Sequence, residues 1–137
     1  MIDVVEVYTD GGARGNPGPA AIGAVVVDPS TQPPTRLATV SERIGVATSN
    51  VAEYRAVIAG LEAARAFPAR SLRVRADSML VIRQLEGAWK VKHPNLKPLH
   101  AEARALLMEW EHVDLAHVRR EFNTDADLLV NAALDAG

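Results

Sequence analysis

Apolar positions along the chain form five short stretches, each of which predicts a β-strand. The first two stretches, at residues 4–8 and 20–28, flank a segment rich in glycine and proline, which predicts a specialised turn beginning at Asp10. Alternating apolar and polar positions predict a third strand at residues 37–44. Because the connections are short, these three strands are expected to form an antiparallel meander. The remaining two strands are predicted at residues 72–77 and 113–118.

A change of hydrophobic period after the third strand predicts helices. Apolar positions from Val51 to Ala64 recur every three or four residues, which is typical of a helix with one buried face. Asn50 is the expected N-cap, and Glu53, three residues later, resembles the second member of a capping box. A crossover of this length must pass over one face of the sheet. Further helices are predicted at residues 78–85, 101–110 and 123–134, the last with Asn123 as its cap.

Composition narrows the class of protein. A chain of 137 residues predicts a single domain spanning residues 1–137. Hydrophobic residues make up 48% and aromatic residues only 4%, so the core must be built from Val, Leu, Ile and Ala, which suits strands packed under helices. The absence of cysteine excludes disulfides and thiolate metal sites. The N-terminus has no basic region followed by a long apolar stretch, so we expect a cytoplasmic protein without signal peptide or membrane span. Since no heptad pattern stands out, we also expect a monomer.

The formal net charge of −2 argues against a strongly basic coat for nucleic acid. The one basic stretch lies at residues 89–98. Two bound divalent cations would make the net charge positive, so a weakly acidic chain of this kind can still bind a polyanion through its metals.

Four carboxylates occupy the ends of predicted elements. Asp10 and Asp77 end the first and fourth strands, Glu53 lies near the start of the first long helix, and Asp127 lies near the start of the last. Each has a structural explanation: a turn residue, a capping glutamate, the N-cap of the next helix and an acid in the field of a helix dipole. If the first and fourth strands are parallel neighbours, however, all four can meet at one edge of the sheet.

Clustered carboxylates repel one another and shift one another's pKa values. Hard divalent cations such as Mg²⁺ resolve this conflict, because they prefer oxygen ligands. Two such ions about 4 Å apart can stabilise both the attacking and the leaving oxygen of a phosphoryl displacement. The chemistry indicated is phosphodiester hydrolysis.

Four motifs, in this order along nearly the whole chain, resemble those of the type I ribonuclease H family. They are Thr9-Asp10-Gly11-Gly12 with Gly15-Asn16-Pro17-Gly18-Pro19, Thr48-Ser49-Asn50-Val51-Ala52-Glu53-Tyr54, Ala76-Asp77-Ser78, and Asn123-Thr124-Asp125-Ala126-Asp127 followed by Asn131. Each motif alone is weak, whereas four in register are highly specific.

The resemblance implies an α/β, ribonuclease H-like fold: a five-stranded mixed sheet, made of a three-stranded antiparallel meander plus two parallel strands, with helices on both faces. It also implies hydrolysis of the RNA strand of an RNA/DNA hybrid, giving 5′-phosphate and 3′-hydroxyl ends. By similarity, Asp10, Glu53, Asp77 and Asp127 are the catalytic residues and ligate two Mg²⁺ ions, for which Mn²⁺ is expected to substitute. Asp10 would bridge both ions, and Asp127 would be the more loosely held ligand.

The same resemblance implies where substrate binds. The 2′-hydroxyl that distinguishes RNA from DNA lies in a wide, shallow minor groove. The expected contacts are Gly12, Ala13, Arg14, Asn16, Ser49 and Asn50 beside the acids, Thr48 on a phosphate of the DNA strand, and Trp89, Lys90 and Lys92 farther along the hybrid. The last three also have a structural explanation: Trp89 as a tryptophan at the edge of the core, and the two lysines as part of a solvated loop.

The chain also departs from the family pattern. Many members carry a histidine on a mobile loop before the last aspartate, but here residues 118–123 are too few for that loop and His117 falls in a predicted strand. We therefore expect no catalytic histidine, with Glu121 as a weak substitute. The basic helical protrusion of some members is replaced by residues 89–98, so hybrid affinity is expected to be modest and steeply salt-dependent.

Two other functions fit the same residues. One is a nuclease of the same fold that acts on another nucleic acid, either double-stranded RNA or junction DNA. The other is a non-catalytic module that binds hybrids, although four clustered negative charges facing phosphate would not help a binder.

Overall fold

Five strands form one mixed sheet in the computed structural model, which describes residues 2–136 of the chain. The sheet order is β3-β2-β1-β4-β5, with β1, β2 and β3 antiparallel, and with β4 parallel to both β1 and β5. The predicted fold is therefore confirmed. The elements are β1 (Ile2–Ala13), β2 (Gly18–Asp28), β3 (Thr35–Ala47), α1 (Ser49–Ala64), β4 (Ala69–Ala76), α2 (Met79–Leu85), α3 (Lys97–Leu107), β5 (His112–His117), a 3₁₀ turn (Arg120–Phe122) and α4 (Thr124–Asp135).

Helices cover both faces of the sheet, because side chains along a strand alternate between the faces. Ala24 and Val26 of β2 lie on the face covered by α1, where the larger apolar core also includes residues of α2 and α3. Ala21 and Gly23 lie on the opposite face, against α4. Within residues 2–136, no helix has both the length and the apolar character needed to cross a membrane.

The first strand does not stop at Asp10, contrary to the prediction from its glycines. β1 continues through Gly11 and Gly12 to Ala13, and these residues pair with Ile22, Ala21 and Ala20 of β2. The hydrogen bonds of an antiparallel hairpin thus outweigh the weak strand preference of glycine. Only residues 14–17 form the turn, and what ends at Thr9 is the pairing of β1 with β4.

The predicted cap of the first long helix is also wrong. Thr48 is the N-cap of α1, and its hydroxyl accepts a hydrogen bond from the Val51 amide at 3.2 Å, whereas Asn50 lies inside the helix. Threonine and asparagine are both good caps, so the sequence did not decide between them.

The later helices differ from prediction mainly at their ends. α3 begins at Lys97 rather than Ala101, because Pro98 is tolerated in the first turn of a helix, and it ends at Leu107. Ser78, not Asp77, caps α2. Asn123 does precede α4, but its side chain makes no capping hydrogen bond.

Candidate functional site

Three carboxylates meet at the edge of the sheet where the parallel strands β1 and β4 separate. The last paired residues are Thr9 and Ala76, so the next residue of each strand, Asp10 and Asp77, leaves the pairing at the same level. Together with Glu53 of α1, they offer carboxylate oxygens that all lie within 4.8 Å of one another. Parallel pairing of strands far apart in sequence is what brings the first two acids together.

Glu53 reaches this edge because α1 lies unusually close to β1. A Cβ on Gly11 would come within 3.0 Å of the backbone of Ala52, so only glycine permits this approach. The Gly11 amide donates a hydrogen bond to the Glu53 carboxylate. Glu53 is therefore not the second member of a capping box, because its carboxylate is held by an amide of β1 rather than by the first turn of α1.

The three acids are packed too closely to be ionised together. The pKa of Asp10 is raised to about 8, mainly by burial and additionally by the charge of Asp77 and by a hydrogen bond with Asp127. Burial likewise raises the pKa of Glu53 well above its usual range, with the charges of Asp10 and Asp77 adding to the effect. A cluster of this kind is costly for a protein unless a cation occupies it.

The geometry around Asp77 also favours a bound cation. Its Oδ2 atom is buried and has no hydrogen-bond partner. The Nε atom of Arg120 lies 4.0 Å from this oxygen, at the limit of an ion pair, on a side chain that is 83% exposed. Nothing in the sequence pattern singled out Arg120, because the turn that carries it follows β5 and meets Asp77 only in the folded chain.

Asp127 lies beside the three acids rather than among them. It forms a hydrogen bond with Asp10, and its own Oδ2 accepts one from the Asn131 amide group at 3.4 Å. Exposed ion pairs also link both ends of α4 to its neighbours, Asp135 to Arg14 of the hairpin turn at 2.6 Å and Asp125 to Arg36 of β3 at 3.1 Å. The position of Asp127 thus depends on how α4 docks.

Asn123 and Gly23, two residues that the sequence analysis did not assign to the site, set that docking. The buried Asn123 side chain donates from Nδ2 to the backbone oxygen of Thr9 at 2.8 Å, which ties the start of α4 to the residue before Asp10. Gly23, the partner of Asp10 across β1 and β2, lies directly under Ala126. A glycine in an otherwise apolar strand was the one available signal of this close approach.

Replacing Gly23 by alanine is therefore expected to lower the free energy of unfolding by about 1 to 3 kcal/mol. The new methyl group would lie within 3.0 Å of the Ala126 carbonyl, so α4 would have to move away from the sheet. Urea unfolding would measure the change. Gly12→Ala is the matched control, since a Cβ there meets only Val130 Cγ1, at 3.5 Å. Equal stability of the two variants would contradict this account of α4.

The predicted contacts near the acids fall on the hairpin turn, the end of β1 and the start of α1. The Asn16 side chain accepts a hydrogen bond from the Ser49 amide at 3.0 Å, so it holds the turn against the helix. Thr48 is occupied as the cap of α1, Asn50 is exposed, and Arg14 is paired with Asp135. Gly12 and Ala13 form the last two residues of β1.

The other predicted contacts lie on the irregular segment that follows α2. Trp89 is 46% exposed, so about half of its surface is open to a ligand. Lys90 and Lys92 are exposed as well. Glu121 is exposed, pairs with Arg119 at 3.4 Å and is not a member of the three-acid cluster.

The donor set fits a divalent metal ion. It consists of carboxylate oxygens only, two of its members have raised pKa values, and one buried oxygen lacks a partner. Hard cations such as Mg²⁺ and Mn²⁺ take such ligands, whereas a site without sulfur or histidine suits softer metals poorly.

Comparison with known proteins gives relatives that match nearly the whole chain. The model of the reverse transcriptase-like family matches residues 8–133. The bifunctional protein Rv2228c of Mycobacterium tuberculosis is 48% identical over 134 residues, covering 96% of this chain and 36% of that protein. Ribonuclease HI of Halobacterium salinarum is 45% identical over 131 residues, covering 96% of this chain and 64% of that protein. The chain thus spans about a third of the mycobacterial relative and under two thirds of the halobacterial one.

Solved structures agree with the sequence relatives. The N-terminal RNase H domain of Rv2228c has a TM-score of 0.92 at 47% identity, covering 98% of this chain and 95% of that one. RNase H1 of Halobacterium salinarum has a TM-score of 0.92 at 44% identity, covering 98% and 99%. LC11-RNase H1, solved in complex with an RNA/DNA hybrid, has a TM-score of 0.88 at 42% identity, covering 96% and 97%. With this agreement over nearly all of its length, the chain belongs to the type I ribonuclease H family.

Proposed function

We propose that this chain is an endoribonuclease that hydrolyses the RNA strand of RNA/DNA hybrids, leaving 5′-phosphate and 3′-hydroxyl ends. The observation that carries the proposal is the cluster of Asp10, Glu53 and Asp77 at the edge of the sheet. Membership of the ribonuclease H family supports the reaction, and the solved complex of LC11-RNase H1 with an RNA/DNA hybrid supports the substrate.

The proposed metal ligands are Asp10, Glu53, Asp77 and Asp127, holding two Mg²⁺ ions or, in their place, Mn²⁺. When bound, the ions supply charge stabilisation at the phosphate and lower the pKa of an attacking water. The chain contributes orientation: the Gly11 amide fixes the Glu53 carboxylate, and the docking of α4 brings Asp127 to Asp10. Preorganised ligands of this kind need little rearrangement during the reaction.

The RNA strand is proposed to lie over the glycine-rich end of β1 and the start of α1. Gly12 and Ala13 offer backbone without bulky side chains there, and Ser49, Asn50 and Asn16 offer polar groups for the 2′-hydroxyl. Arg14 is proposed to bind phosphate after exchanging its exposed partner Asp135, which is feasible because exposed ion pairs are weak.

The DNA strand is proposed to contact Thr48 and, farther along the hybrid, the segment with Trp89, Lys90 and Lys92. The exposed indole offers a surface for apolar contact with the sugar-phosphate backbone, and the two exposed lysines offer charge for phosphates.

The finer description of this family member is part of the proposal. It is a compact form, with residues 89–98 in place of a basic protrusion and with residues 118–123, which contain no histidine, in place of the histidine loop. We propose a single ribonuclease H domain at residues 1–137, monomeric and cytoplasmic. Light scattering on the purified domain, and fractionation of cells that express the protein, would test the last two points.

A cleavage assay tests the function directly. End-labelled RNA/DNA hybrid, duplex RNA and junction DNA would be incubated with Mg²⁺, Mn²⁺ or EDTA. Metal-dependent loss of the RNA strand from the hybrid is the expected result, and added salt should weaken it, because Arg14, Lys90 and Lys92 are proposed to contact phosphates. Cutting of duplex RNA or junction DNA alone would replace the proposed substrate, and binding of the hybrid without cleavage would favour the non-catalytic module.

A further inference from the structure

A buried polar network joins α1 to the segment that carries Trp89. Gln84, near the end of α2, is only 5% exposed, and its Oε1 accepts a hydrogen bond of 2.5 Å from the hydroxyl of Tyr54 in α1. Its Nε2 donates to the backbone oxygen of Lys90 at 3.2 Å. Both ends of the Gln84 amide are therefore occupied, one by a helix next to the acids and the other by the exposed basic segment.

The same network holds the end of α2, where the last carbonyl groups have no partner within the helix. The backbone oxygen of Gln84 lies 3.0 Å from Nε2 of His100, and the oxygen of Leu85 accepts from Arg104 at 2.8 Å, so α3 provides both partners. The amides of Ala88 and Trp89 donate to the oxygen of Arg83.

The two ends of this network lie beside functional positions. Tyr54 follows Glu53 directly in α1, and α2 begins two residues after Asp77. The position of the Trp89 segment relative to the acids is therefore set by α1, by α2 and by the side-chain amide of Gln84. No hydrogen bond from another side chain to the Trp89–Lys92 backbone is present among the described residues besides that from Gln84.

We infer that Gln84, oriented by Tyr54, is a positioning residue that holds the Trp89–Lys92 segment in register with the carboxylate cluster for binding an RNA/DNA hybrid. This inference rests on the proposed function. It extends that function to Gln84 and Tyr54, neither of which is among the proposed substrate contacts. The segment is irregular and exposed, so without the Lys90 anchor it would sample many conformations, and hybrid binding would have to order it at a cost in affinity.

The test is steady-state kinetics of Gln84→Met, which keeps the length of the side chain and removes both hydrogen bonds. We expect KM for the hybrid to rise about three- to tenfold, the effect of losing one or two hydrogen bonds, with kcat within about twofold of wild type. The milder Tyr54→Phe, which deletes only the hydroxyl, should raise KM in the same direction. Ile58→Val, a small core change one turn after Tyr54 that removes none of these hydrogen bonds, controls for general destabilisation.

Two further readouts separate positioning from a merely structural role. In a Trp89→Ala/Lys90→Ala/Lys92→Ala background, which keeps the Lys90 carbonyl, Gln84→Met should no longer raise KM, because the side-chain contacts that it positions are absent. Without any substrate, hydrogen exchange at the Ala88 and Trp89 amides should be faster in Gln84→Met than in Ile58→Val.

An unchanged KM, a fall in kcat alone, or a KM effect that persists in the background lacking the Trp89, Lys90 and Lys92 side chains would each overturn the inference. If Gln84→Met does not fold, Tyr54→Phe decides the same question. Wild-type protein that cuts no hybrid would overturn the proposed function and this inference with it, whereas active wild type with an unaffected Gln84→Met would overturn this inference alone.

Discussion

Asp77→Asn is expected to abolish cleavage of RNA/DNA hybrid, by about a thousandfold or more, while making the metal-free protein more stable. The two effects have opposite signs because Asp77 is proposed to serve the metal rather than the fold. Its buried Oδ2 atom has no hydrogen-bond partner and only the exposed Arg120 at 4.0 Å, so the fold gains little from its charge. Its negative charge also raises the pKa of both Asp10 and Glu53.

Removing that charge should relieve the repulsion and raise the free energy of unfolding in EDTA by about 1 kcal/mol. Thermal unfolding in EDTA and single-turnover cleavage in Mg²⁺ would measure the two effects. Asp3→Asn, the same substitution at an exposed position of β1, is the matched control and should change neither quantity. Residual cleavage by Asp77→Asn within tenfold of wild type would remove Asp77 from the proposed ligands.

The stability of the metal-free protein should fall as the pH rises from about 4 to about 8. In this window Asp10, whose pKa is raised from 3.8 to about 8, is protonated in the folded state but ionised in the unfolded state. The folded protein therefore binds more protons than the unfolded chain, and raising the pH favours unfolding. Glu53 contributes in the same direction, because its pKa is also raised.

Urea unfolding in EDTA should show a loss of about 2 to 3 kcal/mol between pH ~5.5 and pH ~8. Adding Mg²⁺ at the higher pH should recover much of this loss, since a cation that binds only the folded state stabilises it. Asp10→Asn should flatten the dependence on pH. A metal-free protein that becomes more stable as the pH rises would show that the cluster is not the dominant titrating group.

Prediction of the fold succeeded where local pattern and connection length were sufficient. The alternation in residues 37–44 and the helical spacing from Val51 to Ala64 were correctly assigned to β3 and α1. Errors fell at the ends of elements, where several residue types satisfy the same requirement. Thr48 rather than Asn50 caps α1, and β1 runs on through Gly11 because β2 supplies hydrogen bonds that no local pattern reveals.

The sequence predicted the acids of the candidate site, but not the residues that position the parts of the site. Asp10, Glu53 and Asp77 stood at ends of elements and in recognisable motifs, and the structure brings their carboxylates together. Gln84, by contrast, is an unremarkable polar position of a short helix in sequence. It gains its partners Tyr54 and Lys90 only after the chain has folded, so the chemistry of the residue type alone could not identify it.

The sequence by itself determined the order of the strands and helices, the predominantly aliphatic core and the set of acids available for metal binding, because these depend on the periodicity and chemical type of neighbouring residues. Only the tertiary structure decided which acids share one site, how α4 docks Asp127 beside Asp10, and how Gln84 joins α1 to the Trp89 segment. The reason is physical. Pairing of distant strands, the close approach that Gly11 and Gly23 permit, and a buried hydrogen bond all depend on groups far apart along the chain.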